Sequence, residues 1–344
     1  MRIHLGHHFY GAGNLGDDFM VAGFLTAMRA LAPTAKFTGC VPFALAPLQH
    51  RFPAVSWLPY DDATRKRCIS ACDAWLGLGG SPFQSAQSRW FVDHLISEAK
   101  FCHEARKKMF FLGVGVQSDT ELDVPEVQQL CAQSGGIWTR DEASARRIAA
   151  LPAHPPVTPS RDLAHLLFRS NPPPPVVRDR LTLVTNFDFA PWSGRDAFCR
   201  AAASAAFKEQ VWLAQESREL PGSERALHAS LPAGERGRWR LVIPDDPGAP
   251  LRDVLQRWPS GETLVTSRYH AALAGAWSGS KIVVVAINEK LKAVARELGV
   301  RSISPDASES DVARALATAQ PVSPPTASAD LAFAACADFV RSVG

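Results

Sequence analysis

The chain of 344 residues contains no apolar run approaching the roughly 18 residues that a membrane-spanning helix needs. Its first residues, Met-Arg-Ile-His-Leu-Gly-His-His, have neither the apolar core nor the small-residue cleavage site of a secretory leader, which argues against secretion. Cysteine is sparse. Seven residues at 40, 68, 72, 102, 131, 199 and 336, odd in number and scattered, do not make a disulfide scaffold. Cys68 and Cys72 have a helical spacing, but no second Cys/His pair stands at finger-like spacing, so no metal is expected. Charge of one sign is missing too. The 37 Lys+Arg against 34 Asp+Glu give +3, with no basic stripe for nucleic acid and no acidic tail. The expectation is a reduced, cytoplasmic, soluble protein. Lysine itself is scarce, nine of the 37 basic residues against 28 Arg. Arginine is the better fork for carboxylate and phosphate. Abundant Ala and Pro beside it make GC-rich coding the plainer source.

What is present is an ordinary globular composition, 46% hydrophobic and 21% charged, with enough length for two domains that each bury a core. The first half alternates strand-like and helix-like segments: a strand at 2–7, a helix at 17–31, an apolar run at 74–78 and a helix at about 88–106. Strands at 109–116 and 136–139 and a helix at 141–150 follow. Prolines 152, 155, 156 and 159, and then Pro172 to Pro175 in a row, break the pattern and predict a semi-rigid spacer. The domain boundary belongs there. Alternation resumes with strands at 181–186, 210–214, 240–243, 262–266 and 281–287. Helices at 195–207, 249–258, 269–278 and 288–298 separate them, and a last helix, 331–343, follows a Pro/Ser/Ala-rich connector. Strands alternating with helices imply parallel sheets. The predicted architecture is α/β, two doubly wound domains at 1–170 and 176–320 facing a cleft, with 321–344 as connector and terminal helix. In such sheets ligands bind on the loops after the strands.

Three such loops stand out. The first, Gly11-Ala12-Gly13-Asn14-Leu15-Gly16-Asp17-Asp18, has glycines that admit a ligand and a helix start that attracts anions. Asp17 and Asp18 would repel a pyrophosphate there, so they either cap the helix or hydrogen-bond a polyhydroxylated or cationic group. Gly79-Gly80-Ser81 and Gly113-Val114-Gly115 end apolar strands, where small residues leave space for a ligand or for another backbone. The richest corner is Thr266-Ser267-Arg268-Tyr269-His270-Ala271. Thr266 or Ser267 can cap the helix, Arg268 offers a fork for carboxylate or phosphate, and His270 can donate a proton near neutral pH. His7 and His8 end the first strand and serve a ligand or the core equally well. His94 and His103 read as structural, and Asp141 as an ordinary helix cap.

Taken in order, these corners resemble the polysaccharide pyruvyl transferase family. Gly13-Asn14-Leu15-Gly16-Asp17-Asp18, Gly79-Gly80-Ser81, Gly113-Val114-Gly115, Arg140-Asp141-Glu142-Ala143-Ser144, Asp162-Leu163-Ala164 and Ser267-Arg268-Tyr269-His270-Ala271 match its motifs, with Lys290 about twenty residues on. The resemblance implies a GT-B-like fold of two Rossmann-like domains, the first on the acceptor side and the second on the donor side. It also implies transfer of the enolpyruvyl-derived unit of phosphoenolpyruvate onto two sugar hydroxyls, giving a pyruvate ketal and phosphate. His270 would protonate the enol carbon. Arg268, Ser267, Tyr269, Gly80 and Lys290 would bind substrate. Asn14, Asp17 and Asp18 would hold or deprotonate sugar hydroxyls, with Asp17 as the catalytic member. The second arginine expected to grip the donor is not assigned by these motifs. No cofactor is implied beyond the donor. The partners are a glycan or glycolipid acceptor, the latter allowing peripheral membrane contact, and no nucleic acid. Two other readings stay open: a GT-B glycosyltransferase using a nucleotide sugar, and a non-catalytic carbohydrate-binding relative.

Overall fold

The structure is a computed structural model that describes residues 1–84, 89–185, 193–246, 248–323 and 325–344. The predicted helix start at Ser88 and strand end at Asn186 lie outside the described residues. Seven strands, β1 (Arg2–Leu5), β2 (Lys36–Val41), β3 (Val55–Pro59), β4 (Ala74–Leu78), β5 (Met109–Val114), β6 (Gly136–Thr139) and β7 (Val157–Pro159), form one sheet. Six more, β8 (Val177–Val184), β9 (Glu209–Leu213), β10 (Trp239–Val242), β11 (Gly261–Thr266), β12 (Lys281–Val285) and β13 (Arg301–Ile303), form a second. The orders are β3-β2-β1-β4-β5-β6-β7 and β10-β9-β8-β11-β12-β13, and every pairing is parallel. Central strands such as Ala74–Leu78 and Met109–Val114 are buried throughout, as sheets covered on both faces require. The α/β, two-Rossmann expectation therefore holds.

In each sheet the strand order reverses beside the first strand, between β1 and β4 and between β8 and β11. These switch points are where the chain leaves a crevice at the strands' carboxyl ends. The helices Leu15–Leu31 and Tyr269–Ser278 start there, one from each domain.

β2, β3, β7 and β13 were not predicted. Three of them are short or lie at an edge, and Pro159 ends β7 on the sheet's outer side, where proline is tolerated. The proline-rich interval accordingly contains β7 and the helix Ala164–Arg169, and only the run at Pro172–Pro175 spans between domains. The last helix, Thr326–Val343, returns to the first domain. Its Phe339 meets Phe24, Phe110 and Trp138, and Asp338 accepts the Trp138 indole N–H at 2.9 Å.

One apolar core continues across the domain junction. Phe19 packs on Phe168 and Trp258, and Phe168 stacks on Trp277 at 5.2 Å between centroids. An interface of this apolar kind holds two domains in a defined relation.

Candidate active site

β11 ends at Thr266, and the chain turns at once into the helix Tyr269–Ser278. Neither Thr266 nor Ser267 caps this helix as expected. Arg268 is the N-cap residue without a side-chain bond, and Thr266 Oγ1 instead accepts the Arg268 N–H at 2.9 Å. That tight turn carries His270 out of its own domain. Its Nε2 lies 3.3 Å from Oδ2 of Asp162, a fully buried carboxylate of the first domain that also accepts the Ala164 N–H at 2.9 Å. The other side of the ring lies against Gly16, where a Cβ would stand 2.1 Å from Nδ1. Any side chain at position 16 would displace the imidazole.

Burial holds the His270 imidazole below its ordinary value, and Asp162 opposes it. Burial also pushes Asp162 up, but the facing imidazole, the Ala164 amide and Arg140 outweigh it and bring the carboxyl down to about 2. Asp162 is the member of the pair that carries the charge.

A second group of titrating residues stands beside this pair. Asp17 is held by the Asn14 side-chain amide at 3.0 Å. Burial and the Asp18 carboxylate raise Asp17 to about 7, while Lys290 pulls the other way. Lys290 is itself pushed down to about 7, by burial first and by Arg140 next, with Asp162 and Asp17 opposing. The Tyr269 ring lies between two cations, with the Arg140 guanidinium 5.2 Å and the Lys290 ammonium 5.1 Å from its centroid. Arg140, 2% exposed, donates to the Gly80 carbonyl at 3.2 Å and to Ser81 Oγ at 3.1 Å. It has that space because position 115 is glycine, whose Cβ would meet the guanidinium at 2.4 Å.

The structure thus brings together His270, Tyr269, Asp17, Asn14, Gly80 and Lys290. Asn14, rather than either aspartate, caps the first helix, its Oδ1 accepting the Gly16 N–H at 3.1 Å. The loop before it is sewn to the other domain: Ser217 N–H bonds the Gly13 carbonyl at 2.8 Å, and Leu15 N–H bonds Gln215 at 3.2 Å. Asp18 points elsewhere. It is fully buried, with Arg51 Nη1 at 2.5 Å, and the same guanidinium reaches Asp245 of the second domain at 2.5 Å. A rim position facing sugar is therefore not where Asp18 sits. Arg268 donates through Nε to the buried carboxylate of Glu224 at 2.6 Å, so its charge is already balanced. Ser267 is buried beside it, its N–H on the Val184 carbonyl at 3.0 Å. The Gly11–Gly13 turn borders a cleft of about 530 Å³ between the domains, with Ser217, Arg218 and Arg225 opposite.

Asp162 and Arg140 were not assigned to the site from sequence. Both stand in motifs quoted above, and Arg140 lies beside Tyr269. Glu224 and Arg51 carried no sequence signal. His94 is structural as expected, bonding the Gly6 carbonyl and Tyr60. Among the described residues, no group of three or more His, Cys, Asp or Glu converges to hold a metal ion. Among them, too, no helix is long and apolar enough to cross a membrane.

Solved structures share this architecture at low identity. UDP-N-acetylglucosamine 2-epimerase from Rickettsia bellii superposes with a TM-score of 0.63 at 11% identity, over 100% of this chain and 95% of its own. The corresponding enzyme from Methanocaldococcus jannaschii gives 0.62 at 10%, over 99% and 98%. Anabaena Alr3699/HepE, solved with UDP-glucose, gives 0.60 at 12%, over 99% and 94%. These likenesses place the fold among GT-B-type enzymes. Among proteins of curated function, none matches the sequence. The family model for polysaccharide pyruvyl transferase matches residues 14–288, from the capping Asn14 to the residue that caps the Lys290 helix. The chain belongs to the polysaccharide pyruvyl transferase family and is a transferase enzyme.

Proposed function

We propose that the protein moves the enolpyruvyl-derived unit of phosphoenolpyruvate onto two hydroxyls of a sugar, forming a pyruvate ketal and releasing inorganic phosphate. The observation that carries this reading is the buried His270–Asp162 pair, built from both domains and flanked by Arg140 and Lys290. Asp162 orients the ring through Nε2, and His270 delivers the proton to the methylene carbon. The double bond's electrons take that proton, leaving an oxocarbenium-like centre at the adjacent carbon. The first sugar hydroxyl adds there and loses its proton to Asp17, whose value near 7 suits a base at neutral pH. Phosphate then leaves with its bonding pair and takes the proton held by Asp17, and the second hydroxyl closes the ketal as its own proton passes to the His270 imidazole.

Arg140 and Lys290 supply the positive charge that the donor's carboxylate and phosphate need. Arg268 and Ser267 orient the corner, with Glu224 absorbing the Arg268 charge. An anionic donor also offsets the burial that disfavours imidazolium, so substrate binding itself recruits the proton to His270. The acceptor, a glycan or glycolipid, lies along the cleft bordered by Gly11–Gly13, in the loop that leads to Asn14 and Asp17.

The test is direct. Phosphoenolpyruvate and a panel of glycosides, lipid-linked ones included, should give acceptor-dependent phosphate release from the wild-type protein. A parallel panel of nucleotide sugars should give no nucleotide release. The opposite result, nucleotide release without phosphate from phosphoenolpyruvate, would make the protein a glycosyltransferase.

A further inference from the structure

The helix Glu142–Ala149 of the first domain faces the helix Glu289–Leu298 of the second across a crevice of about 290 Å³. Arg140, Arg146 and Arg161 line it from one domain and Arg296 from the other, and Tyr269 lies at its inner wall. It shares Arg140, Asp141, Ala143, Ala293 and Arg296 with a narrower neck of about 30 Å³, which adds Arg147 and Lys290. The crevice therefore opens from solvent toward the two cations that flank Tyr269.

Cationic groups from both domains meet here, and most of the nearby acids are already committed. Glu297 accepts from Ser328 at 2.8 Å, contacts His165 at 3.0 Å and lies 3.7 Å from Arg161. Asp141 caps its own helix through the Ser144 N–H at 2.7 Å, and Glu289 pairs with Lys292 at 2.7 Å. Glu142 is the remaining acid on the wall. Arg140 spends its hydrogen-bond donors on a carbonyl and a hydroxyl, and its ion pair with Asp141 is long, at 3.8 Å. Among the described residues, the side chains of Arg146 and Arg296 make neither a hydrogen bond nor an ion pair. Guanidinium groups brought together across a water-filled gap repel one another until an anion stands between them.

We propose that this crevice is a second anion site: an antechamber that holds a phosphate-bearing dianion just outside the reaction centre. The inference rests on the proposed function, which supplies two such dianions, the donor on its way in and inorganic phosphate on its way out. Both present the same oxyanion to the same arginines. A row of cations leading inward also concentrates the donor by long-range attraction, an effect that salt screens.

The double variant Arg146→Ala/Arg296→Ala tests this, since both side chains are exposed on helix surfaces and the fold is expected to survive. Inorganic phosphate titrated calorimetrically into the ligand-free protein at low salt should bind about tenfold more weakly to the variant. In turnover, kcat/KM for phosphoenolpyruvate should fall about tenfold at low salt with kcat held, and the gap should close as salt rises. Arg146→Lys/Arg296→Lys should restore most of both effects, because the site works by charge. A loss confined to kcat/KM identifies the donor as occupant, and a loss confined to phosphate binding identifies the product. An unchanged titration together with an unchanged kcat/KM overturns the proposal. If the wild-type protein releases no phosphate from phosphoenolpyruvate, the functional reading fails, and the phosphate titration still decides the crevice.

Discussion

His270 is a buried imidazole whose burial disfavours the protonated form that an acid must carry. The sign of the pH dependence follows. Its value in the free protein lies below the ordinary one and below that of Asp17, so few free molecules carry the acid protonated and the base ionised at once. kcat/KM for the donor should rise with pH through the lower value and fall through the higher. Asp162 opposes the depression. Asp162→Asn should therefore move the rising limb to lower pH, and His270→Ala should lose about 10²–10⁴-fold in turnover while donor binding largely survives. A pH profile of Asp162→Asn that overlays the wild type would remove Asp162 from this role. His270 and Asp17 stood out in the sequence because loops after strands concentrate chemistry, and Lys290 through the family resemblance. Asp162 and Arg140 were not, although their motifs were visible, because a partner across a domain junction is set by tertiary packing alone. Arg268 shows the converse. Its fork was legible, while the buried Glu224 that balances it, 44 residues earlier, was not.

Among the elements, the helices Leu15–Leu31 and Tyr269–Ser278 matter most, since their starts meet at the site. Gly16 is where they touch. Alanine is the better helix former by about 1 kcal/mol, so Gly16→Ala should leave the fold intact or slightly stabilised. Its Cβ occupies the place of the His270 ring, and a displacement of this order costs about 10²-fold in rate. Thermal unfolding and turnover measured on the same sample should therefore separate, with stability kept and activity lost. Wild-type turnover in Gly16→Ala would show that the ring's position against this helix is immaterial. The long helix Leu15–Leu31 and the buried strands Ala74–Leu78 and Met109–Val114 were readable, because their apolar patterns are continuous. β7 is only three residues long and ends in proline, and β3 also ends in proline; local pattern says little about such pieces, and the neighbouring strand decides their pairing.

The whole molecule is held together by an apolar core and by buried ionic contacts, among them the bridge Asp18–Arg51–Asp245. Burial outweighs Arg51 in its effect on Asp18 and raises that carboxyl to about 6. A carboxyl whose folded value is raised favours folding more as pH falls below that value, so ionised Asp18 is a cost at neutral pH rather than a gain. Arg51→Met leaves two buried carboxylates unpaired and should lose about 3–5 kcal/mol in chemical denaturation at pH 7.5. Asp18→Asn should change stability far less, because Arg51 keeps Asp245. Equal losses in the two variants would refute this account. The two-domain plan was readable from the proline run and the resumed alternation, but nothing in the sequence indicated that Arg51 bridges positions 18 and 245.

The polypeptide passes between the domains twice, once at Pro172–Pro175 and again before Thr326, where the last helix goes back to pack under Phe24 and Trp138. A body tied by one strand can swivel, whereas a body tied by two can turn only about the line joining them, like a door. The apolar junction around Phe19 and Phe168, the His270–Asp162 pair and the Arg51 bridge fasten that door, and of these the ionic contacts are the ones that a change of charge releases.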